Sequence, residues 1–160
     1  MKYAIVYSSR TGNTELLAQR LRDSLPKEDC LYVGPPNKEA LAAEKLYVGF
    51  WTDKGTCDES IAAFLRSITH QQVFLFGTAG FGGAPEYFEK ILTAVKENLS
   101  ETATVTGSYM CQGKMPVSVR KRYESMEESA GRQAMLDNFD RALSHPDEQD
   151  FSALVEAARQ

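Results

Sequence analysis

Apolar and polar residues form alternating blocks along this chain, and the blocks predict strands and helices in turn. Short apolar runs rich in β-branched and aromatic residues predict five strands, and apolar residues at helical spacing predict helices between them. The predicted strands cover residues 2–7, 30–33, 46–50, 72–76 and 103–111. The fourth run is almost entirely apolar, which is typical of a central parallel strand buried on both faces.

The same pattern places the helices. The first is predicted to begin at Asn13 or Thr14, a short helical crossover to cover residues 38–44, and further helices to cover residues 60–68 and 85–99. From about residue 116 onward the chain predicts two or three more helices. Strands that alternate with helices predict an α/β fold, a three-layer doubly wound parallel sheet with helices on both faces.

Composition narrows the class of protein. The 160 residues are 42% apolar and 25% charged and show no linker or repeat, so we expect a single domain over residues 1–160. The formal net charge of −4 does not suggest a nucleic-acid partner. No apolar run is long enough for membrane insertion, no signal peptide is recognised, and Cys30, Cys57 and Cys111 show no metal-type spacing. We therefore expect a cytoplasmic protein.

The loop after the first strand carries the clearest chemistry. Residues 8–14 join a buried strand to a helix N-terminus, where unpaired backbone N–H groups and the helix dipole favour an anion. The loop is rich in hydroxyl and amide donors, so it predicts a site that holds a phosphate group. An ordinary strand-to-helix turn with a Ser or Thr cap is the alternative.

Two other phosphate-binding patterns are absent from this loop. No Lys follows its Gly12, so it lacks the sequence that serves phosphoryl transfer. It also lacks the glycine spacing of dinucleotide-binding loops. The single terminal phosphate of a mononucleotide suits it best.

The segment Ser9-Arg10-Thr11-Gly12-Asn13-Thr14 resembles the phosphate-binding signature of the flavodoxin family, [ST]-x-T-G-x-T. The resemblance implies the strand order 2-1-3-4-5, non-covalently bound FMN, and electron transfer. It implies that these six residues bind the cofactor phosphate. A narrower resemblance is to flavodoxin-like proteins that accompany bacterial tetrapyrrole (bilirubin) reductases.

A second predicted loop, residues 51–58, lies at the same sheet edge and contains the only Trp of the chain. Trp51 is expected to stack on the flavin ring, with packing against a helix as the alternative. The resemblance implies that the carbonyl of Lys54, before Gly55, turns toward flavin N5, and a plain turn glycine is the alternative. The cofactor-binding residues expected in this loop are Trp51, Thr52, Lys54 and Gly55.

A third loop, residues 78–83, is rich in glycine and is expected to donate backbone N–H groups to the pyrimidine end of the flavin. The expected cofactor-binding residues here are Thr78, Ala79, Gly80, Phe81 and Gly82, with Tyr87 beyond them. The sequence departs from the family pattern at Pro85, where flavodoxins commonly carry a Tyr. We therefore expect either that Phe81 or Tyr87 covers the outer face of the flavin ring, or that this face is open.

Acidic residues in or beside these loops, Asp53, Asp58, Glu59 and Glu86, predict an acidic rim and a low reduction potential, unless they are only solvated helix starts. The resulting hypothesis is an FMN-dependent electron carrier that meets a reductase and an acceptor protein transiently. One alternative is an FMN-dependent reductase of a quinone, tetrapyrrole or similar substrate. The other is a non-redox ligand-binding domain of the same fold. No residue is assigned a catalytic or metal-binding role.

Overall fold

The computed structural model of the protein describes residues 1–82 and 84–159. Gly83, which the sequence places in the third loop, and Gln160 lie outside the described residues. The strands are β1 (Tyr3–Tyr7), β2 (Cys30–Gly34), β3 (Lys45–Trp51), β4 (Gln72–Ala79) and β5 (Thr104–Gln112). The helices are α1 (Asn13–Ser24), α2 (Glu59–Ser67), α3 (Pro85–Lys96), α4 (Val117–Glu124), α5 (Ala130–Ala142) and α6 (Glu148–Ala158).

The strands form one parallel sheet in the order β2-β1-β3-β4-β5. The register places Ile5 beside Tyr47 and Tyr47 beside Phe74. Because β1 lies next to both β2 and β3, the chain reverses its direction of winding there, and loops diverge at the carboxyl ends of these strands. The predicted fold class and strand order are confirmed.

Each face of the sheet buries its own hydrophobic cluster, because successive side chains of a strand point to opposite faces. Ile5 and Phe74 pack with Leu17 of α1 and Leu154 of α6 on one face. The other cluster contains residues of β1, β3 and β4 together with α2 and α3: Ala4, Val6, Val48, Leu75, Ile61, Leu65, Ile91 and Val95. Helices therefore cover both faces, as expected for parallel strands.

Three elements differ from the prediction. Strand β3 includes Trp51, which the sequence placed in the second loop, because Trp51 pairs with Thr78 of β4. Strand β4 continues to Ala79, so Thr78 and Ala79 belong to the strand rather than to the third loop, because they pair with Cys111 and Gln112 of β5. The predicted crossover helix is instead a short 3-10 helix, Lys38–Ala42. The side chain of Asn37 caps that helix at the backbone N–H of Glu39, and the chain returns to extended backbone at Ala43.

Three helices follow β5. Helix α6 packs with β5 and α1, and its first turn is closed by a capping box between Asp147 and Asp150. Helices α4 and α5 pack against each other beside the carboxyl edge of the sheet. Among the described residues, no helix is both long and apolar enough to cross a membrane.

Candidate functional site

A cavity of about 480 Å³ opens where the loops after β1, β3 and β4 come together. Its volume lies within the range of about 300–1,000 Å³ usual for small-molecule and cofactor sites. The structure brings residues of all three predicted loops to this cavity. Of the expected cofactor-binding residues, those that line it are Arg10, Thr11, Asn13, Trp51, Thr52, Lys54, Gly55, Thr78, Ala79, Gly80, Phe81 and Tyr87.

The first loop presents a row of unused backbone donors. Within the described part of the chain, no backbone N–H from Ser9 to Thr14 donates a hydrogen bond to a protein acceptor. Helix α1 begins at Asn13, as predicted, and Gly12 occupies its N-cap position without a side-chain cap. These N–H groups and the positive end of the helix dipole together form a site for an anion.

Three of the expected residues in this loop, Ser9, Gly12 and Thr14, do not line the cavity. Gly12 has a φ of 92°, which favours glycine over residues that carry a Cβ. The Ser9 hydroxyl accepts from the backbone N–H of Glu15 at 3.2 Å. The buried Thr14 hydroxyl contacts the Phe50 carbonyl at 3.1 Å and the Thr78 hydroxyl at 3.0 Å. These contacts occupy the Thr14 hydroxyl, and only its backbone N–H lacks an acceptor among the described residues.

Trp51 is held at the end of β3 by polar contacts. Its indole Nε1 donates to Oδ2 of Asp58 at 3.1 Å, and the Arg10 guanidinium lies 5.4 Å from the ring centroid. The same Asp58 oxygen accepts from the Ser8 hydroxyl at 2.5 Å. Asp58 thus fixes the orientation of the tryptophan relative to the first loop, which sequence reasoning did not predict.

Asp58 is also the N-cap residue of α2, where its Oδ1 accepts a hydrogen bond from the backbone N–H of Ile61 at 3.0 Å. Burial by itself raises the pKa of this carboxyl group. The hydrogen bonds from Ser8, Ile61, Ser60 and Trp51 outweigh that effect, so the pKa of Asp58 lies below its ordinary value. The group is therefore a carboxylate at neutral pH.

Lys54 and Gly55 form the tip of a tight turn. Asp53 and Thr56 exchange both backbone hydrogen bonds, at 2.7 and 3.2 Å. The φ angles of Lys54 and Gly55 are 52° and 86°, the positive values of a type I′ turn. The peptide group between Lys54 and Gly55 takes part in neither of these hydrogen bonds. This is compatible with the predicted turning of the Lys54 carbonyl, and that motion stays a prediction.

The third loop is hydrogen-bonded at Gly80 by two residues, Gln112 and Asn138, that the sequence analysis did not predict for the site. The Gly80 carbonyl accepts from Gln112 Nε2 and from Asn138 Nδ2, each at 3.0 Å. A Cβ placed on Gly80 would lie 2.5 Å from Sδ of Met115, so the absence of a side chain lets Met115 pack there. Phe81, 40% exposed, and Tyr87 both line the cavity, whereas Gly82 does not.

A fourth wall was missed by the sequence reasoning. The segment after β5 and the first turns of α4 line the cavity with Gly113, Lys114, Met115, Pro116, Ser118, Val119 and Arg122. Asn13 Nδ2 donates to the Lys114 carbonyl at 2.8 Å and to the Thr11 hydroxyl at 3.0 Å. Asn13 therefore connects this wall to the first loop. The only sequence signal was the glycine at 113 before a helical block.

The charge of the cavity differs from the predicted acidic rim. Its lining includes Arg10, Lys54, Lys114 and Arg122, and no Asp or Glu among the described residues. Asp58 points its carboxylate at Trp51 and Ser8, as the cap of α2. The acidic residues Asp53, Asp58, Glu59 and Glu86 therefore do not line the cavity itself, and the acidic rim expected around the exposed flavin edge stays a prediction.

Two cysteines near the sheet edge are buried in the hydrophobic clusters. Cys57 is 6% exposed and Cys111 is 4% exposed. Burial raises the pKa of both thiols, that of Cys111 to about 12. Neither thiol is therefore appreciably ionised at neutral pH.

Comparisons with known proteins agree with this geometry. A family profile described as Flavodoxin domain matches residues 4–159. The flavodoxin-like domain-containing protein BilS of Clostridium symbiosum (strain WAL-14163) is 42% identical over 174 aligned positions, which cover 96% of this chain and 92% of the relative.

Two solved structures show the same fold. Oxidised Flavodoxin 2 from Bacillus cereus has a TM-score of 0.64 at 21% identity and covers 99% of this chain and 96% of its own. A flavoprotein in complex with FMN from Lactobacillus acidophilus NCFM has a TM-score of 0.54 at 14% identity. The match covers 68% of this chain and 92% of the flavoprotein chain. Taken with the family profile and the sequence relative, these matches show that the chain belongs to the flavodoxin family.

Proposed function

We propose that this protein binds FMN and carries electrons between a reductase and an acceptor protein. The proposal rests chiefly on the row of backbone N–H groups from Ser9 to Thr14, which has no protein acceptor in the described chain and lies at the N-terminus of α1. Membership of the flavodoxin family and the FMN complex of a protein with the same fold support the choice of ligand.

The residues present fit this cofactor. Asn13 is 6% exposed and lines the cavity, and its Oδ1 has no hydrogen-bond partner among the described residues. A buried acceptor without a partner is costly, so it favours a ligand that carries hydroxyl groups. Trp51, Phe81 and Tyr87 supply aromatic surface for a flat ring.

FMN, when bound, supplies the capacity to accept and release electrons. The chain would hold the phosphate with the first-loop N–H groups and Arg10, and the ring with Trp51, Lys54 and Gly55, together with the segment from Thr78 to Phe81. Asp58 keeps Trp51 oriented. The basic lining of the cavity favours negative charge on a bound ligand, which acts against the low reduction potential expected from the sequence.

The proposal is tested by cofactor titration. Protein freed of cofactor is titrated with FMN and with riboflavin, which lacks the phosphate, while quenching of flavin fluorescence is followed. We expect FMN to bind at least about 100-fold more tightly, since each charge-assisted hydrogen bond to the phosphate contributes about 1.5–3 kcal/mol. Equal affinities would show that the first loop does not hold the phosphate.

A carrier is distinguished from an enzyme by turnover. We expect purified holoprotein with NADPH and a quinone to turn over no faster than free FMN, and a reductase to be required. Rapid turnover by the protein alone would favour the alternative of an FMN-dependent reductase. The narrower resemblance noted from the sequence makes a tetrapyrrole reductase the first acceptor to try, and the BilS relative is consistent with that choice.

The proposal places the protein in the cytoplasm as one flavodoxin-like domain over residues 1–160. In the described chain Cys30, Cys57 and Cys111 form no disulfide, which agrees with a reducing compartment. The helical part from about residue 116 would then serve as an additional wall of the cofactor site.

A further inference from the structure

The mouth of the cavity carries positive charge that the chain as a whole does not. Arg10, Lys54, Lys114 and Arg122 line the cavity and are all exposed. No acidic side chain of the described residues lines it. The 160 residues have a formal net charge of −4, so the lining of the cavity differs in sign from the chain as a whole.

None of these basic groups is used to stabilise the fold through an ion pair with a described residue. The contrast is clear on α4. Arg120 pairs with Asp140 at 3.1 Å and with Glu124 at 2.9 Å, whereas Arg122 has no such partner and lines the cavity. The charges at the mouth are therefore available to a binding partner.

The cofactor phosphate accounts for only part of this charge. A phosphate monoester carries about −1.5 to −2 charges at pH 7. Arg10 belongs to the phosphate loop, whereas Lys54 lies in the turn after β3, and Lys114 and Arg122 lie on the wall after β5. Lys114 adjoins the first loop through the hydrogen bond between its carbonyl and Asn13, but four cations still exceed the charge of one phosphate group, so at least two of them remain for another negatively charged group.

Two exposed apolar side chains, Phe81 and Val117, belong to the segments that line the cavity. Phe81 lines the cavity and is 40% exposed. Val117, between the lining residues Pro116 and Ser118, is 63% exposed. A small anion would use the cations and leave both apolar side chains in water, whereas protein interfaces commonly combine an apolar centre with a charged rim.

We propose that this face docks a redox protein whose own contact surface is acidic, with carboxylates placed around an apolar centre. The inference rests on the proposed function, since the cavity must hold the FMN whose electrons are exchanged. For each electron that leaves the reduced flavin, the redox centre of the partner gains one, and no covalent bond forms. Opposite charges speed the encounter and orient the two proteins.

The test follows electron transfer from the reduced holoprotein by stopped flow at increasing ionic strength. The acidic probe is the soluble domain of cytochrome b5 and the basic probe is cytochrome c. We expect the rate with the acidic probe to fall at least about tenfold between low and high salt, as for attractive steering. The rate with the basic probe should rise or stay constant.

Charge reversal locates the surface. The variant combines Lys114→Glu with Arg122→Glu. At low salt, the ratio of its rate with cytochrome b5 to its rate with uncharged benzoquinone should be about tenfold lower or more than for the wild type. The benzoquinone rate corrects for any change in reduction potential. The matched control is Lys38→Glu combined with Arg141→Glu, which makes the same charge change at exposed positions outside the cavity lining. The control should change the ratio less than twofold.

Each outcome separates this proposal from the proposed function. Protein that binds no FMN contradicts the proposed function. Protein that binds FMN but shows no salt dependence with cytochrome b5, or equal effects of both variant pairs, overturns the docking surface. The small anion ferricyanide serves as a third electron acceptor. If only the rate of electron transfer to ferricyanide falls strongly with salt, the docking surface is overturned in favour of a small-anion site.

Discussion

The indole of Trp51 donates a hydrogen bond to Oδ2 of Asp58 at 3.1 Å, and the same oxygen accepts from the Ser8 hydroxyl at 2.5 Å. One carboxylate thus joins the end of β3 to the loop after β1. Its other oxygen caps α2 through the backbone N–H of Ile61. The position of the proposed ring-binding tryptophan is therefore coupled to the loop after β1 through a single side chain.

Asp58→Asn tests this coupling. The amide oxygen can still cap α2, but the NH₂ group faces the two donors Ser8 and Trp51, so their shared acceptor is lost. We expect FMN affinity to fall about tenfold, with a loss in unfolding free energy of about 1–2 kcal/mol. Fluorescence titration and urea unfolding measure the two effects, and Asp23→Asn, an exposed residue of α1, is the control. Unchanged affinity would show that Asp58 acts only as a helix cap.

The lowered pKa of Asp58 predicts the pH dependence of this contact. An ordinary Asp has a pKa of about 3.9. Because the folded pKa is lower, the carboxylate stabilises the fold fully above that value, and the contribution is lost as pH falls through the folded pKa. We expect the fluorescence of Trp51, the only Trp of the chain, to stay constant down to about pH 4 and to change below it.

Far-UV circular dichroism, recorded on the same samples, separates this local change from acid unfolding. In the Asp58→Asn variant the fluorescence change below pH 4 should be absent while the protein remains folded. A transition of wild-type fluorescence that is centred above pH 5 would contradict the lowered pKa.

Asn13 predicts a different kind of effect. Its Nδ2 binds the Lys114 carbonyl at 2.8 Å, and the side chain is 6% exposed. Asn13→Ala removes this bond and leaves a carbonyl without its donor, which should cost about 1–3 kcal/mol of unfolding free energy. Asn13→Asp keeps the shape but places a negative oxygen against that carbonyl and beside the proposed phosphate site. We expect Asn13→Asp to weaken FMN binding more than Asn13→Ala, and the reverse order would contradict the phosphate assignment.

Gly80 and Met115 form a steric pair that a double-mutant cycle can measure. A Cβ at position 80 would lie 2.5 Å from Sδ of Met115, so Gly80→Ala alone forces that side chain to move. We expect a loss of about 1–3 kcal/mol in unfolding free energy, as for other overpacked sites. Combining it with Met115→Ala should recover part of the loss. Purely additive effects would show that the two residues do not contact each other in solution.

Thiol labelling tests the burial of the cysteines. Cys57 and Cys111 are buried, with raised pKa values, whereas Cys30 is partly exposed. Treatment of the native protein with iodoacetamide at pH 8, followed by peptide mass mapping, should label Cys30 at least about tenfold faster than the other two, because the thiolate is the reactive form. Fast labelling of Cys111 in folded protein would contradict the structure around α6.

The sequence alone determined the fold class and the location of the loop that we propose binds the phosphate. Apolar blocks of two different periods specify strands and helices because each element must bury one face or stripe. The loop from Ser9 to Thr14 is a local feature, in which donors and a helix start lie within a few residues. Local hydrogen bonding and helix geometry act over this range, so neighbouring residues sufficed to predict it.

Tertiary structure decided the fourth wall and the charge of the cavity. Asn13 meets Lys114, and Gly80 meets Asn138, across separations of 101 and 58 residues. No periodicity encodes such pairings, because they depend on how α4 and α5 pack beside the sheet edge. The acidic residues near the loops did not indicate the basic lining of the cavity for the same reason. Sequence lists the charges, but only packing determines that Asp58 faces Trp51 while Lys114 and Arg122 face the cavity.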